Sequence, residues 1–71
     1  MTRRTDLLRV IRDAAESSER TLEFVRHGSR HDIWRVGHTQ FSVPRHREVG
    51  ERLALAVRQS LEAELGEGWW K

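Results

Sequence analysis

Four histidines, His27, His31, His38 and His46, fall within one stretch of this 71-residue chain. An unperturbed imidazole changes charge near pH 6.5, so each can take or give a proton close to neutrality. Arg26, Arg30, Arg35, Arg45 and Arg47 share the stretch with a single acid, Asp32, a local excess of +4. The remaining eight basic and ten acidic residues leave the rest of the chain at −2, so the formal net charge of +2 hides a concentrated cationic block. Imidazoles set among guanidiniums can do acid–base chemistry beside an anion, and nucleic-acid phosphate is the anion that best matches such a block. Charge alone divides that reading evenly from a plain solvated face. His27 and His31 have a metal-ligand spacing only on a helix, and Gly28-Ser29 between them marks a turn, so no metal site is read there. Nor is any other cofactor.

The elements that must carry these residues can be read along the chain. Residues 5–18 predict a helix, with Thr5 as N-cap, Asp6 at the positive end of the dipole, and an apolar stripe of Leu7, Leu8, Ile11, Ala14 and Ala15. Alternating and β-prone runs predict strands at about 21–26, 32–36 and 40–43, linked by Gly28-Ser29 and Gly37-His38-Thr39. Pro44 ends the third, having no N–H to give a ladder. A second helix is expected over 50–65 on Val49, Leu53, Val57, Leu61 and Leu65, widened by Ala54 and Ala56 and closed by Gly66, with a tail over 66–71. The expected fold is therefore α+β, a single two-layer α-β-β-β-α domain over 1–71. Its three-stranded antiparallel sheet carries both helices on one face.

Size and composition bound the function. A chain this short buries only about 60% of its surface on folding, which leaves a thin core and room for one simple site. The absence of cysteine excludes disulfide scaffolds and thiolate metal centres and suits a reducing compartment. No apolar run approaches the ~20 residues of a membrane span, and no signal core follows the first residues, so the expected location is the cytoplasm with no membrane partner.

Three stretches in this order, Leu22-Glu23-Phe24-Val25-Arg26, Gly28-Ser29-Arg30-His31-Asp32-Ile33-Trp34 and Phe41-Ser42-Val43-Pro44-Arg45-His46, resemble the HicA toxins of bacterial toxin–antitoxin pairs. These are small ribonucleases called mRNA interferases, similar in layout to double-stranded-RNA-binding domains. The likeness covers nearly the whole chain, through an apolar-Glu-apolar-Val-Arg strand, a Gly-Ser-His turn entering an aromatic-ended strand, and a Val-Pro-x-His strand end. It implies a metal-independent endoribonuclease acting on messenger RNA, a type II toxin, with His31 as the catalytic residue and a cognate HicB-type antitoxin as protein partner. It also implies a monomer or weak dimer when free. Two departures stand out. Arg30 separates the Gly-Ser pair from His31, and the last helix opens on Glu48-Val49-Gly50-Glu51-Arg52 where many relatives carry Gly-Thr.

On that reading His31 exchanges the proton of an RNA 2′-hydroxyl, and Arg30, Arg35 or Arg45 steadies the phosphate as its charge grows. Arg26 and His46 complete the expected RNA contacts, and either His46 or water serves the second proton transfer. His27 and His38 read as plain surface residues. Trp34 reads as core rather than as a platform for a base. Trp69 and Trp70 either fold back over the core or meet a partner. Two other classes compete: a non-catalytic RNA-binding module, which leaves His31 unexplained, and a protein-interaction domain in which RNA has no part.

Overall fold

The computed structural model describes residues 2–71. The elements run β1 (Thr2–Arg3), α1 (Arg4–Ser17), β2 (Leu22–His27), β3 (His31–Val36), β4 (Thr39–Pro44), β5 (Glu48–Val49), α2 (Glu51–Ser60) and α3 (Glu62–Leu65). Strands β2, β3 and β4 form an antiparallel sheet in that order. The helices cover one of its faces, as the α+β layout requires.

The first helix starts one residue earlier than the sequence predicts, and Thr5 is not its N-cap. Arg3 holds that position without a side-chain cap bond. The reason is an unforeseen two-stranded ribbon. Thr2 and Arg3 pair with Val49 and Glu48, and the Arg4 N–H donates to the Arg47 carbonyl at 2.9 Å, satisfying a first-turn donor that has no partner within the helix. The helix closes in a Schellman motif. Glu19 takes a left-handed φ of 60°, and the N–H groups of Glu19 and Arg20 donate to the carbonyls of Glu16 and Ala15.

Leu7, Leu8, Ile11 and Ala15 of α1 meet Ala54 and Val57 of α2, together with Leu61, above Leu22, Val36, Phe41 and Val43 of the sheet and Val49 of β5. The expected single helix over 50–65 is interrupted at Leu61, which separates α2 from α3. Its expected stripe is also displaced. Val49 belongs to a strand, Leu53 is 38% exposed, and the buried line runs Ala54, Val57, Leu61. Once β5 takes Val49, the helix is free to turn its small Ala54 inward, and Leu53 falls at the rim. Gly66 closes α3 at φ 96°, and the tail folds back: Trp69 packs on the core and donates Nε1–H to the Arg58 carbonyl at 2.8 Å. Trp70 stands edge-on to Trp69, with Lys71 over its ring.

Two linking residues, Gly37 and His38, join β3 to β4, with positive φ at Gly37 (59°) alone of the pair, the combination of a type II′ hairpin. A side chain at Gly37 would also run into the Glu64 carboxylate. That carboxylate accepts from Arg20 Nε at 3.0 Å, from the His38 N–H and from the Thr39 hydroxyl, and so ties α3 to the hairpin.

Candidate functional site

The register of the sheet decides which side chains share a face, because successive residues alternate and directly paired residues agree. Between β3 and β4 the alternation is regular: Asp32, Trp34 and Val36 face the helices with Val43 and Phe41, while His31, Ile33 and Arg35 face away with Ser42 and Gln40. Between β2 and β3 it is interrupted. Phe24 pairs with Trp34, but Arg26 pairs with Ile33 and His27 with Asp32, so Val25 is an extra residue in a β-bulge. A one-residue shift exchanges the faces of everything beyond it. Arg26, which would otherwise share the helix side with Phe24, is sent to the open face, and His27 is turned inward beside Asp32.

The open face therefore gathers Arg26, His31 and Arg35 around Ile33 and Ser42. His31 and Arg26 are exposed, and their side chains make no hydrogen bond or ion pair among the described residues. Arg35 is paired across strands with Glu23 at 3.3 Å. Arg30 projects from the turn 28–30 that joins β2 to β3, its exposed side chain likewise without a partner among the described residues. His46 sits in the 45–47 link after β4, exposed, and its side chain too makes no bond among the described residues. Trp34 lies on the helix side, packed against the core and edge-on to Phe24, as its core reading expects.

Arg45 is occupied differently from the other candidates. Its guanidinium reaches back under the β2–β3 turn, donating through Nη1 to the Gly28 carbonyl at 2.9 Å and through Nη2 to the Ser29 carbonyl at 2.6 Å. Nη1 also lies 3.3 Å from the His31 carbonyl and 3.0 Å from Asp32 Oδ1. The turn is tight: the Gly28 N–H donates to the His31 carbonyl at 2.6 Å, and a Cβ at Gly28 would come within 2.8 Å of that oxygen. Glycine is needed there for close backbone approach.

Asp32 is the centre that reading along the sequence missed. It is the one buried charged residue, 5% exposed, among those described. Oδ2 accepts from Arg4 Nη2 at 2.6 Å, and Oδ1 contacts His27 Nδ1 at 2.7 Å as well as Arg45. His27 is thus no plain surface residue, although 72% of its side chain is exposed. It stacks at an angle on Phe24 and faces away from His31. The bond to His27, then that to Arg45 and the charges of His27 and Arg4, hold the Asp32 carboxyl below its ordinary value of 3.8 against the opposing effect of burial. One available signal was its isolation as the only acid among the five arginines. The contribution of Arg4, 28 residues earlier, had none.

A folded-state pKa depressed in this way contributes stability that is present above the unfolded value and is lost as pH falls through the folded one. Glu64, lowered chiefly by Arg20 from 4.5, adds to it with the same sign. The urea midpoint of the wild type is expected to fall steeply below about pH 4, the range in which carboxylates gain protons. Asp32→Asn should start lower at pH 7 and converge with the wild type in acid. Parallel curves would mean that the Asp32 charge contributes nothing to the fold.

In comparisons with known proteins, the chain matches no family model, no curated protein and no solved structure. No helix among the described residues is long and apolar enough to cross a membrane.

Proposed function

We propose that this chain is a metal-independent endoribonuclease that cleaves messenger RNA, the toxin of a type II pair, similar to the HicA family and held inactive by a HicB-type antitoxin. The observation that carries the reading is the exposed His31 imidazole, unbonded among the described residues, on the same uncovered sheet face as Arg26 and Arg35. An extended face admits a polymer backbone. Arginine side chains on it supply sequence-independent phosphate attraction, and an imidazole among them is placed for proton transfer. In the reaction, His31 takes the proton of a 2′-hydroxyl. The freed oxygen attacks the adjacent phosphorus in line, and the P–O5′ bond breaks. The leaving oxygen receives a proton from His46 or water, leaving a 2′,3′-cyclic phosphate and a 5′-hydroxyl end. The side chains of Arg26 and Arg30, free of protein partners among the described residues, serve the phosphates on this reading. Arg30, next to His31 in the chain, steadies the charge that grows at phosphorus, and Arg35, held by Glu23, attracts a more distant phosphate.

The test is incubation of the purified chain with end-labelled single-stranded RNA in EDTA at low salt. The expected outcome is cleavage with cyclic-phosphate ends. The affinity should fall with log salt at a slope of about −0.7 per phosphate contact, and Arg26→Ala should remove about one such increment. Binding without cleavage would replace the enzyme by an RNA-binding module. Neither binding nor cleavage would leave a protein-interaction domain.

A further inference from the structure

A catalytic imidazole must be held close to its productive geometry, and a misplacement of 1 Å can cost on the order of 10²-fold in rate. The His31 ring has no bond of its own to hold it among the described residues, so its main chain must do so. That main chain is fixed from one direction. The carbonyls of Gly28, Ser29 and His31 all converge on the Arg45 guanidinium, and the Arg45 N–H donates to the Arg30 carbonyl at 3.3 Å. Carbonyl dipoles aimed at one point repel one another unless a cation sits there. Arginine fits because its planar fork offers five donors in fixed directions, whereas a lysine ammonium offers charge without the fork. The guanidinium is in turn held by Asp32, whose other oxygen is anchored to Arg4.

We propose that Asp32 and Arg45 are positioning residues for His31: together they shape the turn 28–30 and set the direction in which the His31 side chain leaves the sheet. Arg45, expected from the sequence to contact RNA, is assigned to the turn instead. The catalytic half of this proposal rests on the ribonuclease reading above, whereas the ordering of the turn does not.

Arg45→Lys separates the two roles because it keeps the charge and removes the fork. If Arg45 orders the turn, Arg45→Lys and Asp32→Asn each lower kcat by about 10- to 100-fold, with KM within about twofold and the salt slope of RNA affinity unchanged. Backbone relaxation by NMR should show the amides of Gly28, Ser29 and Arg30 rigid in the wild type, with order parameters near 0.85. In the variants they should drop below about 0.6 while the rest of the sheet stays ordered. A phosphate-contacting Arg45 gives the opposite pattern: Arg45→Lys keeps kcat, and Arg45→Ala raises KM and flattens the salt slope. That pattern, or variants whose turn stays rigid, overturns the proposal. Should either variant fail to fold, the wild type taken to a pH far enough below the ordinary Asp32 value of 3.8 to protonate the depressed carboxyl supplies the same test. Its turn amides should loosen before the rest of the sheet, and simultaneous loosening overturns the proposal. A wild type that neither binds nor cleaves RNA defeats the ribonuclease reading and the catalytic half with it. The relaxation data then decide the ordering of the turn alone.

Discussion

His31→Ala is expected to reduce RNA cleavage by about 10²–10⁴-fold, the range a single general acid–base group supplies. The same change should barely touch the fold. The imidazole is exposed and, among the described residues, unbonded, at the start of β3 on the uncovered side of the sheet. Exposed substitutions of this kind cost within about 0.5 kcal/mol, or roughly 2–4 °C in a domain of this size. Single-turnover cleavage beside a thermal melt separates the two quantities. Cleavage within twofold of the wild type would remove His31 from the mechanism. His27→Gln makes the informative control, since His27 faces the other side of the hairpin and gives its bond to Asp32. A loss of cleavage in that variant equal to the His31 loss would move the proton transfer to the wrong face for Arg26 and Arg35, and the proposed site would have to be redrawn.

The largest effect on stability is expected from Leu61→Ala. Leu61 is fully buried where α2 ends, its N–H donates to the Arg58 carbonyl, and its own carbonyl accepts from Glu64 and Leu65 to start α3. One side chain thus fills the core at the joint of two helices. Truncating a buried leucine costs about 2–5 kcal/mol through lost burial and the cavity left behind. A small domain carries only roughly 0.05–0.15 kcal/mol of net stability per residue, so the loss is a large part of the total. The melting temperature should drop by about 8 °C or more, read by circular dichroism or calorimetry. A drop of less than about 4 °C would mean that the core closes over the missing side chain.

The fold was legible wherever a residue's immediate neighbours determine its state. The 3–4 stripe of α1, the alternation of Gln40 to Val43 and the Gly37 and Gly66 turns follow from local sterics and burial, and they stand where the sequence puts them. The ribbon of Thr2–Arg3 with Glu48–Val49 was not legible, because two-residue strands carry no period and their partners lie at opposite ends of the chain. Its formation explains both the early start of α1 and the altered phase of α2. The site was half legible for a related reason. His31, Arg26 and Arg30 announce themselves by type, but the face each one occupies depends on the bulge at Val25, and no feature of Phe24-Val25-Arg26 marks one in advance. The surroundings of Arg45 were not legible either, because a cation in a basic block looks like a ligand for anions and nothing in the sequence marks the carbonyls that converge on it.

The sources of the clamp beneath the turn also bear on synthesis. Arg4 leaves the ribosome well before the turn and Arg45 well after it, and Asp32 is bonded to residues 28 positions earlier and 13 positions later. Contacts of such separation form late, because closing the intervening loops costs entropy before any bond repays it. A growing chain that has delivered His31 still lacks Arg45 to close the turn, β4 to flank the open face, and Leu61 to seat α1. On the ribonuclease reading, the unfinished polypeptide is harmless to the message that encodes it, and activity arrives only with the last helices.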